Sequence, residues 1–191
     1  MIRTAAEPLA KADGIQVLYG NLAPNGALVK TSAVPKDVWV FSGTARVFEG
    51  EDECYAAFRE KKIREGDAVI VRYEGPKGGP GMKELHRITE IIKGIPNTAV
   101  ITDGRFSGAS GGLSIGYLCP EAAEGGPIAL VRDGDRILVD LPRGTLILDV
   151  PEEELERRRA QWTLPAREAE KGLLGRYGRM VGTAREGATF R

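Results

Sequence analysis

The stretch AVIVRYEGPKGGPGMKELHRITEIIKGIPNTAVIT, residues 68–102, predicts a strand, a helix and a second strand. Residues 68–73 and 98–102 are rich in β-branched and other apolar side chains, as buried strands are. Between these two runs, apolar residues recur at helical spacing; they are Met82, Leu85, Ile88, Ile91, Ile92 and Ile95. A crossover of this kind gives parallel strands, so both strands are expected to end at the same edge of one sheet.

Each predicted strand is followed by a glycine-rich loop, EGPKGGPG at 74–81 and DGRFSGASGG at 103–112. Open α/β sheets bind ligands at the carboxyl ends of their strands. We therefore expect Glu84, in the first helical turn after the first loop, to lie near Ser107 in the second. Because glycines let backbone amides approach an anion, an acidic ligand is predicted. Neither loop has the spacing of a P-loop or a dinucleotide fingerprint, which argues against a nucleotide.

These loop residues also have ordinary structural explanations. Ser107 is then a turn cap and Glu84 an exposed helix residue, while Asp103 and Arg105 pair with each other or with turn amides. The only histidine, His86, lies on the predicted helix beyond Glu84, so the pattern does not indicate a serine–histidine pair. The residue pattern alone leads no further than an anion-binding α/β domain.

The rest of the chain predicts short strands and two more helices. IQVLYG and NLAPNGALVKTSAV form a strand pair with a turn at 24–26, and residues 127–150 form an antiparallel meander with turns at 133–134 and 143–144. A helix is expected within 49–63, where acids come first and lysines last, and another after Pro151. The basic tail, residues 164–191, is expected to pack on the surface or on a partner.

Composition narrows the class of protein. A chain of 191 residues with 42% apolar residues is predicted to form a single domain, 1–191, with its own core. Lys plus Arg and Asp plus Glu both total 27, which argues against nucleic acid and anionic membranes as partners. The absence of a long apolar run predicts a cytoplasmic protein. Cys54 and Cys119 lie 65 positions apart, which indicates buried structural thiols.

The chain resembles the C-terminal domain of the dihydroxy-acid dehydratase and phosphogluconate dehydratase family over about residues 14–188. The matching motifs are GNLAPNGALVKTSAV, SGTARVFEGEDE, GDAVIVRYEGPKGGPGMKE, VITDGRFSGASGGLSIG, PEAAEGGPIALVRDGD and EGA. The resemblance implies an α/β fold, a swivelling β/β/α domain with a mixed β-barrel-like core and peripheral helices. It also implies a hydro-lyase that converts a 2,3-dihydroxy acid or sugar acid to a 2-keto acid, as in branched-chain amino acid biosynthesis.

The resemblance also implies roles for individual residues. Ser107, in GRFSG, is the base that takes the proton from C2, and Glu84, in GPGMKE, is a ligand of Mg²⁺. Arg105, Gly108 and Ser110 are the candidate substrate contacts. A serine hydroxyl is a weak acid, so the metal and the amides of residues 108–111 would have to supply positive potential in place of a histidine.

Members of this family are about three times longer, and the resemblance implies that their N-terminal domain holds an iron-sulfur cluster and the other Mg²⁺ ligands. The chain is then the serine-base half of the enzyme, inactive alone, and is expected to work with a cluster-bearing domain or subunit in an oligomer. The alternative is a noncatalytic anion-binding or subunit-interaction domain of the same fold. Tyr117, where relatives have histidine, and LHRITEII after Glu84 leave the substrate open. Cys119 either packs or faces the cluster.

Overall fold

The structure, a computed structural model, describes residues 4, 7, 14–165 and 172–190. It contains eight strands in these ranges: β1 Gln16–Leu18, β2 Ala27–Val29, β3 Val40–Phe48, β4 Asp67–Val71, β5 Ala99–Thr102, β6 Leu113–Gly116, β7 Arg136–Asp140 and β8 Thr145–Asp149. The α-helices are α1 Glu51–Arg59, α2 His86–Gly94, α3 Glu152–Gln161 and α4 Gly172–Met180. No helix in the described ranges is both long enough and apolar enough to cross a membrane.

All eight strands belong to one mixed sheet in the order β1-β2-β6-β5-β4-β3-β7-β8. The four central strands are parallel to one another, and the outer pairs are antiparallel. The sheet curls so that its two edges, at β1 and β8, meet. Two hydrogen bonds join them: Tyr19 donates its amide to Gly144 O at 2.9 Å and accepts from Leu146 N at 2.8 Å. The predicted mixed, barrel-like core with peripheral helices is confirmed.

Strand β4 shows why the 68–102 stretch decides the fold. Ile70 points into the core of the barrel, whereas Val69 and Val71 pack with Leu85 and Ile88 on the helical side. Every residue of β4 is buried, which explains a continuous apolar run where a half-exposed strand would alternate. The predicted parallel pairing with β5 is confirmed by the register Ala68↔Ala99 to Val71↔Thr102.

Helices α1 and α3 form where capping and charge patterns predict them. Helix α1 begins after Gly50 with three acidic residues and ends at Arg59. Helix α3 follows Pro151, also with three acidic residues in its first turn and with arginines in its last turn. Its Arg158 is buried and forms a two-point ion pair with Asp135, at 2.5 and 3.0 Å, which ties the helix to the turn before β7.

Two predicted elements differ from the structure. The amphipathic helix begins at His86, because Gly81 and Met82 adopt left-handed backbone conformations and Glu84 pairs with Arg105 as an isolated bridge. Pro127–Leu130, the predicted first strand of the meander, is a 3₁₀ helix with proline in its first turn. Proline lacks the amide that a strand ladder needs. Strands β3 and β6 are absent from the predicted elements.

The C-terminal helix lies beside the first glycine-rich loop. A side chain at Gly178 would lie 3.1 Å from Pro80 Cγ, and Leu174 lies on the wall of a cleft next to the same loop. Part of the predicted tail, residues 166–171 and 191, lies outside the described residues. The side chains of Ile91 and Ile92, part of the predicted apolar face, also lie outside them.

Candidate functional site

The two glycine-rich loops meet at the carboxyl edge of β4 and β5. Glu84 and Arg105 form an isolated parallel bridge, and Leu85 N donates to Arg105 O at 3.1 Å. Glu84 therefore lies beside the segment that leads to Ser107, as the crossover predicts. Glu84 precedes α2 and does not lie in its first turn, which differs from the prediction, and it is half-buried.

Asp103 anchors the start of the Ser107 loop. Its carboxylate is fully buried and accepts the backbone amides of Tyr73, Glu74 and Ala122 at 2.9–3.1 Å. Burial raises the pKa of Asp103, although these amides act in the opposite direction. The turn-amide alternative for Asp103 is thus confirmed.

Arg105 joins the two loops. Its Nε donates to the carbonyl oxygen of Met82 at 2.6 Å, next to the backbone bridge with Glu84. Arg105 therefore braces the Glu84 segment against the segment that leads to Ser107. Within the described part of the chain, it is not among the residues that line the cavity beside Ser107.

The first glycine-rich loop encloses a carboxylate of the chain itself. Glu121 accepts the backbone amide of Gly78 at 2.8 Å, and that of Lys77 at 3.0 and 3.1 Å to its two oxygens. A side chain at Gly75 would lie 2.7 Å from Glu121 Oε2. Burial raises the pKa of Glu121 to about 7, and the charges of Asp103 and Glu124 act in the same direction. Two amides of this loop are therefore occupied by a side chain of the chain itself, and the acidic ligand stays a prediction.

A cavity of about 240 Å³ opens beside the second loop. Apolar side chains and glycines form much of its wall, from Ile15, Leu28, Val29, Phe106, Gly108, Gly112 and Gly116. Its polar side chains are those of Lys30, Ser107, Ser110, Ser114 and Tyr117. Lys30 is the only charged residue in this described lining. A cavity with one cation and several hydroxyls suits a small anionic, partly apolar ligand.

The three cavity serines differ in their hydrogen bonding. Ser107 Oγ accepts the amide of Ala109 at 3.2 Å, and Ser114 Oγ donates to Gly111 O at 2.9 Å. Ser110 is 6% exposed, and its buried Oγ has no hydrogen-bond partner among the described residues. A buried hydroxyl without a partner is costly, so the hydrogen-bonding capacity of Ser110 Oγ is unused among these residues.

Two cavity residues lie outside the predicted substrate contacts. Lys30 follows β2 and donates from Nζ to Gly108 O. Tyr117 follows β6 with a left-handed backbone, φ 55°, and donates its amide to Gly104 O at 2.8 Å. The motif NGALVKTSAV contains Lys30, but only the antiparallel pairing of β2 with β6 brings it to the cavity.

A second, acidic cleft of about 520 Å³ lies beside the first glycine-rich loop. Buried Glu51 and Glu74 face Lys83, whose Nζ is 3.4 Å from Glu51 Oε2 and 3.8 Å from Glu74 Oε1. Glu74 also accepts the amide of Glu51 at 2.8 Å. These contacts fix α1 to the first loop.

The resemblance implies two inorganic groups, Mg²⁺ and an iron-sulfur cluster. The residues of this chain can supply part of a site for Mg²⁺. Within the described ranges, the Glu84 carboxylate makes no hydrogen bond or ion pair, so it is available as a single oxygen ligand of Mg²⁺. No group of three or more His, Cys, Asp or Glu in those ranges is placed to hold a metal alone. The other ligands would have to come from outside these residues.

An iron-sulfur cluster does not fit this chain. Cys54 and Cys119 are both buried, and burial raises the pKa of Cys54 to about 12 and also raises that of Cys119. Cluster ligands are thiolates, and a cluster takes about four of them. Both cysteines pack inside the domain, as the structural interpretation predicts.

The fold and the site together define an α/β barrel domain that presents a serine-lined cavity at the carboxyl edge of its parallel strands. Residues 1–188 match the family model described as "Dihydroxy-acid/6-phosphogluconate dehydratase C-terminal". The chain belongs to this dehydratase family and corresponds to its C-terminal domain.

The chain is similar to curated proteins named dihydroxy-acid dehydratase. It is 51% identical to that of Acetivibrio thermocellus over 98% of the chain, and 51% identical to that of Moorella thermoacetica over 100%. The protein of Sulfurisphaera tokodaii is 48% identical, also over 100% of the chain. The matched regions are 34%, 35% and 34% of these relatives, so the chain spans about a third of their length.

Proposed function

We propose that this chain is the base-bearing part of a hydro-lyase that converts a 2,3-dihydroxy acid to a 2-keto acid, with Ser107 as the base. The observation that carries the proposal is the position of Ser107. It lies on the wall of a cavity whose described lining contains hydroxyls, one ammonium and no carboxylate. Relatives that are about 50% identical bear the name dihydroxy-acid dehydratase, which supports this class of substrate.

In the proposed reaction, the deprotonated Oγ of Ser107 takes the proton from C2 of the substrate. The electrons of the C2–H bond form the C2=C3 double bond, and the C3 hydroxyl leaves with its bonding electrons. The departing hydroxide takes that proton from Ser107 Oγ and leaves as water, which restores the deprotonated serine. The enol product then tautomerises to the 2-keto acid. The amide of Ala109, 3.2 Å from Ser107 Oγ, stabilises negative charge on that oxygen.

The other candidate residues take supporting roles in this proposal. Glu84 is one ligand of Mg²⁺, together with ligands from the rest of the enzyme. When bound, Mg²⁺ supplies positive charge that stabilises oxygen anions of the substrate. The free Ser110 hydroxyl and the Gly108 backbone contact the substrate, and Arg105 holds the Glu84 and Ser107 segments together.

The iron-sulfur cluster is proposed to belong to the remainder of the enzyme, because this chain lacks suitable cysteines. The partner is therefore a cluster-bearing domain or subunit that makes up the other two thirds of a dehydratase. We expect the isolated chain to be inactive. The alternative is a noncatalytic domain that has kept the fold. It predicts that changes at Ser107 leave turnover of the assembled enzyme unchanged.

Ser107→Ala in the chain assembled with that remaining region tests the base. The variant should assemble and bind substrate, but exchange of the C2 proton with solvent should stop. Turnover should fall about 10²- to 10⁴-fold, the usual contribution of a general base. Two quantities are measured: deuterium incorporation at C2 of the unreacted substrate, followed by NMR, and formation of the keto acid.

Ser42→Ala is the matched control. Ser42 lies on β3, and among the described residues its hydroxyl oxygen bonds only Arg136 Nε. It should leave both measurements unchanged. If Ser107→Ala retains proton exchange and turnover, Ser107 is not the base and the noncatalytic alternative gains support.

A further inference from the structure

One peptide group connects Lys30 to Ser107. The carbonyl oxygen of Gly108 accepts Lys30 Nζ, and the N–H on the other side of the same peptide, that of Ala109, donates to Ser107 Oγ at 3.2 Å. A peptide group is planar, so a fixed oxygen also fixes the direction of the N–H. Lys30 thus determines where the Ala109 amide points.

The loop that carries this peptide has few other constraints. A side chain at Gly108 or Gly111 would meet no atom of the described residues within 4 Å, so both positions are open. The turn is closed by Ser110 N, which donates to Ser107 O at 3.2 Å. Lys30, by contrast, follows β2, where Val29 is buried and paired with Ile115. The lysine therefore links a fixed strand to a loop with open space around it.

The contact also changes the strength of the amide as a donor. A cation that donates to a carbonyl polarises the peptide and strengthens its N–H, because hydrogen bonds in a chain reinforce one another. An amide that donates to a serine oxygen stabilises negative charge there. Orientation and polarisation both favour the deprotonated form of the serine, which is the form that can take a proton from the substrate.

We propose that Lys30 is a positioning residue that orients and polarises the Gly108–Ala109 peptide so that the Ala109 amide holds and activates Ser107 Oγ. The proposal rests on the function proposed above for Ser107. Lys30 acts through the peptide and needs no contact with the substrate, which distinguishes it from an anion-binding residue in the same cavity.

Two measurements on Lys30→Met test this positioning role of Lys30, each with Lys30→Arg as the conservative variant. In the isolated chain, the amide proton of Ala109 should move upfield in the NMR spectrum of Lys30→Met and return in Lys30→Arg. In the assembled enzyme, kcat should fall about 10²-fold, as for a misplaced catalytic group, while KM changes less than about threefold. Lys30→Arg should recover most of kcat.

Lys62→Met, at an exposed lysine paired with Glu60, is the control and should change neither measurement. If Lys30→Met leaves kcat unchanged while Ser107→Ala inactivates the enzyme, the positioning role of Lys30 is overturned and the role of Ser107 stands. A rise in KM at constant kcat also overturns the positioning role, because that result shows substrate binding by Lys30. If Ser107→Ala stays active, the proposed function fails, whereas the Ala109 amide shift still reports whether the Lys30 contact exists.

Discussion

Replacement of Glu121 by glutamine should remove a pH dependence from the stability of the domain. Glu121 is 2% exposed under the first glycine-rich loop, where burial raises its pKa from 4.5 to about 7. Between these two values the folded state binds more protons at this site than the unfolded state does. The free energy of unfolding therefore falls as pH rises from about 4.5 to about 7, and is level above that range.

The size of this effect follows from the two pKa values. Each unit of difference corresponds to about 1.4 kcal/mol, so Glu121 should reduce the free energy of unfolding by about 3 kcal/mol across the interval. Asp103, whose pKa burial also raises, acts in the same direction. Glutamine at 121 still accepts an amide through its single oxygen and does not ionise, so Glu121→Gln should lose most of the slope.

Urea unfolding of the isolated chain, followed by circular dichroism between pH 4.5 and 8, measures the slope directly. Glu156→Gln, at an exposed position of α3, is the control and should retain the wild-type slope. Comparison of slopes avoids any dependence on the absolute stability of each variant. If Glu121→Gln and wild type lose stability equally over this range, the buried carboxylate is not the cause.

Two further changes test the packing and the metal ligand. Gly104→Ala should lower the free energy of unfolding by about 1–3 kcal/mol, since its Cβ would lie 2.8 Å from Glu74 Cβ; Gly108→Ala, in open space, should change it by less than about 0.5 kcal/mol in the same urea titration. Glu84→Gln in the assembled enzyme should raise the Mg²⁺ concentration for half-maximal rate by about tenfold or more. An unchanged Mg²⁺ dependence contradicts the assignment of Glu84 as a ligand.

Much of the fold is predictable because local patterns and tertiary contacts agree. The buried runs of β4 and β5 and the periodic helix between them specify a parallel pair without any further information. The hairpin of β7 and β8 is predictable for the same reason, since its strands alternate on either side of a turn at Arg143 and Gly144.

The missed elements depend on contacts far along the chain. Strand β3 pairs with both β4 and β7, and β6 pairs with both β2 and β5, so their neighbours come from distant parts of the sequence. The late start of α2 has a similar cause. The bridge from Glu84 to Arg105 holds Glu84 in an extended segment that helical periodicity alone does not reveal.

The candidate site is predictable only to the level of its loops. The crossover argument brings Glu84 to the Ser107 loop, yet Lys30 is 77 positions from Ser107 and reaches the cavity through the sheet. Tyr117 likewise depends on the left-handed backbone after β6. A resemblance of motifs suggests roles for single residues, whereas the wall of a cavity requires the assembled barrel.

The two glycine-rich loops look alike in sequence and differ in how their backbone groups are used. In the first loop, the carboxylate of Glu121 occupies the amides of Lys77 and Gly78, so these amides belong to the packing of the domain. In the second loop, Gly108 and Gly111 have open space around them, and Ser107 faces a cavity. Changes in the first loop should therefore act through stability, and changes in the second through turnover.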